Sequence, residues 1–355
     1  MRQRHSDYMH WAKTQSRARY NLATSGVGPF PLAALPIQPP LEINGDSTYG
    51  YAPLQAAIAR KCGVNPDCVV AAAGTSMANH LAMAALVEPG DEVLIEHPAY
   101  ELLVSAALYL GASVRRFPRS EESGYALDPA EIRRTLTPKT KLIVVTNLHN
   151  PSSALAPDSV LREIGDLARS VGAHVLVDEV YLDAVYENTP RTAYHLGPEF
   201  IVTNSLTKVY GLSGLRCGWI LAQPDLARAM WRLNDLFGSI PAHPAELLSV
   251  AACEHLDHIR ERARKVVEAD RALLAEFLAT QPALAAPRTA FGTTSFLRLR
   301  TGDVEPFLAR LRNNYETSAV PGRFFEMPEH FRIGMGVNTD MFREGLRSIA
   351  RTLAE

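Results

Sequence analysis

The chain has 355 residues, of which 47% are hydrophobic and 21% are charged, and its formal net charge is -2. This length suits one large and one smaller core, and the near-neutral charge gives no bulk attraction to nucleic acid or to an anionic membrane. Four irregularly spaced cysteines predict free thiols in a reducing compartment and no disulfide framework. The polar first residues lack the apolar segment of a signal peptide, and no apolar run reaches membrane length. We therefore expect a soluble cytoplasmic protein.

The first part of the chain that has a clear pattern is rich in glycine and proline. It covers residues 26–53 and is expected to be irregular and extended. From about residue 53, short apolar strands alternate with helices, which predicts a mainly parallel sheet covered by helices on both faces. Helices are predicted at residues 54–61, 77–87, 100–110 and 157–171, and strands at residues 68–73, 92–96, 113–117, 141–146, 174–178 and 200–205.

After about residue 225 the pattern becomes mostly helical and indicates a separate α+β lobe. The expected fold class is therefore α/β, with a large domain over residues 45–245. A small domain would combine residues 1–44 with residues 246–355. Its predicted elements are a helix at 255–279, a strand at 294–300, a helix at 304–313, a strand at 331–333 and a last helix from about 339.

Four polar side chains follow or end predicted strands of the large domain. Because ligands of parallel sheets bind at the carboxyl ends of the strands, we expect these side chains to share one site. They are Thr75, Asn150, Asp178 and Ser205.

The most specific pattern lies in residues 205–219, where Lys208 stands beside hydroxyl residues, before a glycine-rich turn and Arg216. A lysine that lies near another cation has a lowered amine pKa and can form an imine with an aldehyde. The hydroxyls and Arg216 suit a phosphate, which the glycines let the backbone approach. An aldehyde and a phosphate on one small molecule describe pyridoxal 5′-phosphate (PLP). The alternative is a surface lysine in a loop, but several independent residue types agree on the cofactor.

A second anion-binding pattern is the run Gly74, Thr75 and Ser76 before the helix predicted at 77–87. Backbone N–H groups and hydroxyls at a helix N-terminus bind anions. An ordinary helix cap would explain the same residues. The presence of Lys208 and Arg216 elsewhere in the chain favours phosphate binding.

These motifs resemble those of the fold-type I PLP-dependent enzymes, and among them the class I and II aminotransferases. The resemblance runs from about residue 20 to the end and is most specific at residues 74–219. It implies the PLP-dependent transferase fold type I and a homodimer with its sites at the subunit interface. It also implies that Lys208 forms the Schiff base with PLP and then moves the substrate proton.

The resemblance also assigns roles to the strand-end residues. Asp178 would pair with the pyridinium nitrogen, and Asn150 and Tyr181 would bind the phenolic oxygen of PLP. Tyr100 would stack on the ring. Helix capping for Asp178 and core packing for the tyrosines are the alternatives. Asn147 and His149 are expected to have structural roles.

Substrate binding is implied for Arg332, which matches the arginine that binds the α-carboxylate, because a guanidinium meets a carboxylate bidentately. An arginine at a strand edge that faces water is the alternative. Gly26 would line the substrate side together with Asn150. In the family a tyrosine from this region often reaches the partner subunit's phosphate; which of Tyr49 and Tyr51 would do so here, if either does, stays open.

Two further sequence features concern the turn after Asn150 and a possible metal site. Ser153 replaces the usual glycine after Asn150 and leaves the asparagine in place. Cys253, His255 and His258 are interpreted as solvated residues of a charged helix, so no metal site is expected.

The resulting hypothesis is a PLP-dependent aminotransferase that takes an amino group from an L-amino acid, forms pyridoxamine phosphate, and gives the group to a 2-oxo acid. The alternative is another PLP reaction on the same fold by a C–S or β-lyase, decarboxylase, racemase or amino-acid cyclase, because the motifs do not separate these. A non-catalytic PLP-sensing domain is disfavoured by the absence of basic character and by the retained Lys208. The expected partners are small molecules and a second copy of the chain, with no nucleic acid and no membrane.

Overall fold

The computed structural model describes residues 3–36, 40–46, 48–287 and 289–355. Part of the glycine- and proline-rich segment thus lies outside the described residues. The strands are β1 (Tyr20–Asn21), β2 (Val69–Ala73), β3 (Glu92–His97), β4 (Ser113–Pro118), β5 (Thr140–Thr146), β6 (His174–Asp178), β7 (Phe200–Ser205), β8 (Cys217–Leu221), β9 (Leu284–Ala285), β10 (Thr294–Leu299), β11 (Thr317–Ser318), β12 (Val320–Pro321) and β13 (His330–Gly334).

The helices cover both halves of the chain. They are α1 (Asp7–Thr14), α2 (Ala52–Cys62), α3 (Thr75–Ala84), α4 (Glu101–Leu110), α5 (Pro129–Thr135), α6 (Asp158–Val171), α7 (Pro224–Asn234), α8 (His243–Glu254), α9 (Leu256–Ala279), α10 (Val304–Tyr315) and α11 (Thr339–Ala354). Within the described ranges, none of these is both long enough and apolar enough to cross a membrane.

The main sheet has seven strands in the order β2-β8-β7-β6-β5-β3-β4. Every neighbouring pair is parallel except those that involve β8, which runs antiparallel to β2 and to β7. The apolar residues 142–145 of β5 and 175–177 of β6 are fully buried, as strands covered on both faces must be. The predicted α/β fold with a mainly parallel sheet is confirmed.

Helix boundaries follow the local signals in some places and not in others. Pro157 precedes α6, and Gly172 ends it with a left-handed φ of 71°, as the proline and glycine predict. The helix predicted at 77–87 instead covers Thr75–Ala84. Its start is earlier because Gly74 itself takes the cap position, which moves Thr75 into the first turn.

Several elements were not predicted, among them β8, α5 and α1. The strand β8 follows a glycine-rich run, and α5 is short, so neither has a long periodic pattern. Helix α1 begins after Ser6, whose Oγ accepts a hydrogen bond from the backbone N of Met9. It buries Tyr8 and Trp11, which share one face, but with eight residues it is too short for a long periodic pattern.

A second, smaller core lies around the antiparallel sheet of order β12-β13-β10-β9. Leu22 joins it because β1 pairs in parallel with β11 and carries the chain into this core. By contrast, Phe30, Leu35 and Ala251 pack in the large core of the main sheet. The predicted domain boundaries at residues 45 and 245 stay predictions.

Candidate active site

A cavity of about 470 Å³ lies at the carboxyl ends of β5, β6 and β7. Most of the residues that were predicted to share a site line this cavity. They are Gly26, Thr75, Ser76, Tyr100, Asn150, Asp178, Tyr181, Ser205, Lys208 and Arg216. Gly74 and Arg332 do not line it, although each contacts a residue that does.

Lys208 follows β7 and is half-buried at the cavity. Its Nζ donates a hydrogen bond of 2.7 Å to the Oγ of Ser25. Burial lowers the pKa of the Lys208 amine, and the nearby Arg332 and Arg216 cations lower it further, against the opposing effect of Asp178. A lowered pKa increases the unprotonated fraction of the amine near neutral pH, and only this form acts as a nucleophile or base.

Asp178 is the last residue of β6 and is almost fully buried. Its Oδ2 accepts from Asn79 Nδ2 at 2.8 Å, and its Oδ1 accepts from the backbone N of Val180 at 3.0 Å. Burial raises the pKa of Asp178 to about 6, although both hydrogen bonds favour the ionised form. A buried carboxylate at a cavity wall, with no cation bonded to it in the described part of the chain, suits a cationic group of a ligand.

The end of the cavity near α3 has the donors that a phosphate needs. The Oγ1 of Thr75 is buried and has no hydrogen-bond partner among the residues that the structure describes. Arg216 lies beside it at the surface, with Nη2 donating to the carbonyl of Ala73 at 3.0 Å. A Cβ on Gly74 would overlap this guanidinium, and Gly74 also has a φ of 80°, so only glycine fits here. These residues therefore fit the phosphate of PLP.

Asn150 lies where the chain leaves β5, and its backbone N donates to Thr146 Oγ1 at 3.1 Å. Its side-chain oxygen accepts from Arg332 Nη1 at 3.0 Å, which leaves the amide N–H groups for the cavity. Ser153 adopts the left-handed φ of 64° that a glycine would favour, and its Oγ bonds to Thr294. The serine therefore keeps the turn, and Asn150 stays at the cavity wall.

The two tyrosines that were predicted to bind the cofactor have different environments. Tyr181 is almost fully buried, which raises the pKa of its hydroxyl, while the positive charge of Arg332 partly opposes this rise. Tyr100 precedes α4, and its ring packs edge-on against Tyr8 at 5.6 Å. Both rings line the cavity, so their predicted roles toward PLP are geometrically possible and stay predictions.

Arg332 lies in β13 and is fully buried. Its Nη2 donates to the hydroxyl of Tyr8 at 3.1 Å and to the carbonyl of Ala23 at 3.4 Å, in addition to its bond with Asn150. The guanidinium also lies over the ring of Phe325 at 5.3 Å. The alternative of an arginine that faces water is therefore wrong.

The cavity residues that were missed at the sequence level include three whose polar side chains make hydrogen bonds at the site: Tyr8, Ser25 and Asn79. Asn79 lies four residues after Thr75 on α3, so the helical period would have placed both on one face. Ser25 adjoins Gly26, which was predicted to line the substrate side. Nothing local predicts Tyr8, because its contacts are made with residues more than 90 positions away.

Neither tyrosine proposed to reach the partner subunit lines the cavity. Tyr49 is exposed, and its hydroxyl donates to Asp235 Oδ2 at 3.1 Å. Tyr51 packs edge-on against the ring of His243 at 5.0 Å. The choice between the two stays open.

The side chains of Asn147 and His149 form hydrogen bonds with other residues of the chain. The side-chain oxygen of Asn147 accepts from the backbone N of Ala156 at 3.0 Å. The ring of His149 lies 2.9 Å from the carbonyl of Pro98 and 2.6 Å from Ser152 Oγ. These contacts are those of residues with structural roles, as predicted.

A larger cavity of about 1010 Å³ contains none of the predicted cofactor or substrate residues. Its walls include the buried ion pair between Lys61 and Asp183. Cys253, His255 and His258 also line it, and His258 alone of the three is exposed. Among the described residues, no group of three or more His, Cys, Asp or Glu side chains is arranged to hold a metal ion.

Known proteins match nearly the whole chain. Capreomycidine synthase from Streptomyces vinaceus is 31% identical over 304 residues, which cover 84% of this chain and 78% of that protein. Arginine–pyruvate transaminase AruH from Pseudomonas aeruginosa is 28% identical, covering 82% of this chain and 76% of that protein. The crystal structure of a PLP-dependent aminotransferase from Streptococcus suis 89-1591 superposes with a TM-score of 0.93 at 26% identity, covering 100% of this chain and 98% of that one.

The family model for aminotransferase class I and II matches residues 44–349. This match covers the cavity walls from Thr75 to Arg216 and also Arg332. The chain therefore belongs to the class I and II aminotransferases, a fold-type I family that uses PLP as its cofactor.

Proposed function

We propose that this chain is an aminotransferase that moves an amino group from an L-amino acid to a 2-oxo acid. One observation carries the proposal: Lys208, Asp178 and the donors around Thr75 line the same cavity. When bound, PLP supplies an aldehyde carbon and an electron-withdrawing ring. Thr75, Ser76 and Arg216 would hold its phosphate, and Asp178 its ring nitrogen.

The proton transfer falls to Lys208. Its lowered amine pKa leaves the amine, which bonds to Ser25, able to take a proton from Cα of the substrate and to return it elsewhere. Ser25 holds the amine in position while it is free. Arg332 supplies the positive charge for the substrate carboxylate, and Asn150 orients that guanidinium through its side-chain oxygen.

Amino-acid cyclisation is the second candidate, because capreomycidine synthase has the higher identity of the two curated relatives described above. Both reactions begin with removal of the same Cα proton, so the residues described here serve both. They differ in whether the amino group leaves the substrate. Product analysis therefore separates them.

The experiment is an absorption spectrum of the PLP-loaded protein, followed by incubation with L-arginine and pyruvate and with a pool of other amino acids. We expect the absorption band of bound PLP, its change on addition of the donor, and the appearance of alanine from pyruvate by mass spectrometry. Release of a cyclic amino acid without alanine would favour cyclisation. A protein that binds no PLP would contradict both candidates.

Lys208→Ala is the first variant to make. It removes the amine that bonds to PLP and moves the proton, so we expect a loss of turnover of at least about 1,000-fold. After borohydride reduction, mass spectrometry should find PLP on Lys208 in the parent protein and nowhere in the variant. Lys141→Ala is a suitable control, because Lys141 is exposed in β5. Normal turnover in the Lys208 variant would make the assignment wrong.

The prediction of a cytoplasmic location belongs to the same proposal. The four cysteines are unpaired in the structure, which supports a reducing compartment. Fractionation of cells that express the protein would test this.

A further inference from the structure

Arg332 has the charge that a substrate carboxylate needs, but it has no surface in the cavity. It is fully buried, and its three hydrogen-bond acceptors stand between it and the cavity. These acceptors are Asn150, Tyr8 and Ala23, and all three line the cavity wall. A carboxylate in the cavity therefore meets these residues before it meets the guanidinium.

Two of these residues have a proton to offer toward an anion: Tyr8 through its hydroxyl and Asn150 through its side-chain amide. The Asn150 amide is predicted to bind the phenolic oxygen of PLP, which leaves the Tyr8 hydroxyl for the substrate. Arginine only donates hydrogen bonds, so the Tyr8 oxygen accepts in its contact with Arg332 Nη2 at 3.1 Å. The phenolic proton then remains available for a second hydrogen bond. Within the described part of the chain, this proton has no acceptor at hydrogen-bonding distance.

The ring of Tyr8 is held in this position by its neighbours. It packs edge-on against Tyr100 at 5.6 Å and against Phe324 at 5.5 Å, and Tyr8 is only 7% exposed. Such aromatic contacts fix the ring plane and hence the direction of the hydroxyl. The helix α1 brings Tyr8 here from the other end of the chain.

We propose that Tyr8 is a specificity-determining residue, whose hydroxyl donates a hydrogen bond to the α-carboxylate of the substrate while Arg332 holds the phenolic oxygen from behind. The positive charge of Arg332 polarises the hydroxyl and makes it a stronger donor. The site thereby distinguishes an amino acid from an amine that lacks the carboxylate. This inference rests on the proposed function, in which the substrate is an amino acid.

If Tyr8 instead blocks access to Arg332, removal of its hydroxyl should have the opposite effect on amino-acid binding. If Tyr8 swung aside, its bond to Nη2 would break and a carboxylate could bond to the guanidinium directly, and the buried Nε of Arg332 has no partner among the described residues. Tyr8 would then be a gate that opposes binding. Removing its hydroxyl would weaken the closed state and would leave amino-acid affinity unchanged or increase it.

The experiment compares the parent protein with Tyr8→Phe, both loaded with PLP. Absorption titrations give the Kd for L-arginine and L-alanine and for their carboxylate-free counterparts agmatine and ethylamine. We expect Tyr8→Phe to raise the Kd for both amino acids at least about 10-fold, since a hydrogen bond to a charged group is lost. The Kd for the two amines should change less than about 2-fold.

Unchanged or lower Kd values for the amino acids in Tyr8→Phe would overturn the proposal in favour of the gate. An equal rise for amines and amino acids would also overturn it, because the effect would not depend on the carboxylate. Phenylalanine keeps the ring contacts, and an equal PLP absorption band checks that the variant is folded. Tyr315→Phe, which removes an exposed hydroxyl bonded to Glu355, is the matched control.

The parent protein alone tests the underlying function. If it binds no PLP, or binds amines as tightly as amino acids, then the proposed function fails. If it prefers amino acids and Tyr8→Phe keeps that preference, then only the role of Tyr8 fails.

Discussion

Asp178 is a carboxyl group whose ionised form is unfavourable in the folded chain. Its pKa is raised from the ordinary 3.8 to about 6 by burial, so the folded state holds a proton that the unfolded state has lost between these two values. Stability contributed by this group is therefore present at low pH and is lost as the pH rises from about 4 through about 6. Carboxyl groups with such shifted pKa values concentrate at functional sites.

Asp178→Asn should therefore stabilise the PLP-free protein at pH 8 while it impairs turnover. The shift from 3.8 to about 6 corresponds to at most about 3 kcal/mol, and the gain should be smaller at pH 5. Urea denaturation at both pH values measures it. Asp166→Asn, on the exposed face of α6, is the control and should change stability by less than about 0.5 kcal/mol. Equal effects of Asp178→Asn at pH 5 and pH 8 would show that ionisation is not the cause.

At the scale of elements, a buried ion pair joins the end of β3 to the residue that follows β4, and a hydrogen bond joins the same carboxylate to the end of β5. Glu96 in β3 and Arg119, just after β4, are both fully buried, and Arg119 Nη1 lies 2.7 Å from Glu96 Oε2. The other carboxylate oxygen accepts from the backbone N of Thr146 at 2.8 Å, and Thr146 Oγ1 in turn accepts from Asn150. Burial raises the pKa of Glu96 and lowers that of Arg119, so each charge depends on the other.

Arg119→Met should lower the free energy of unfolding by about 3–5 kcal/mol, because it leaves the Glu96 carboxylate buried without its cation. Urea denaturation checks this. Arg133→Met provides the comparison, since Arg133 pairs with Glu163 at the surface and should contribute about 0–1 kcal/mol. A similar small loss in both variants would contradict the role of the buried pair.

At the scale of the whole molecule, two neighbouring loops expose large apolar side chains. Tyr49 in the first loop bonds to Asp235, so residues 48–49 lie next to the loop that follows α7. Exposed apolar patches of this kind mark interfaces between chains. The exposed side chains are Leu41, Ile43, Tyr49, Leu236, Phe237 and Ile240.

We expect these two loops to form the homodimer interface that the family resemblance implies. The double substitution Leu236→Glu with Phe237→Glu should then give a monomer in analytical ultracentrifugation, because it places charges in the apolar contact. PLP affinity should fall as well if Tyr49 reaches the partner subunit's phosphate. A Ser170→Glu variant on the exposed end of α6 should remain a dimer. A dimer that survives the double substitution would place the interface elsewhere.

Much of the cofactor side of the site follows from local pattern. The alternation of apolar strands and helices predicts the parallel sheet, and the strand ends then bring Thr75, Asn150, Asp178 and Ser205 together. The run 205–219 predicts Lys208 beside an anion site, because its residues are neighbours in sequence as well as in space. Short-range spacing is sufficient wherever a single strand or turn positions the side chains.

The substrate side was decided by tertiary structure. Tyr8 and Arg332 are 324 positions apart in the chain. The sheet order is also a tertiary feature, since β8 lies between β2 and β7. Helix α1 has only eight residues, and its place depends on the packing of Tyr8 and Trp11 against distant aromatic rings. The spacing of apolar residues in the sequence shows which face of a helix or strand is buried. It does not show which other element packs against that face, because the two elements can be far apart in the chain.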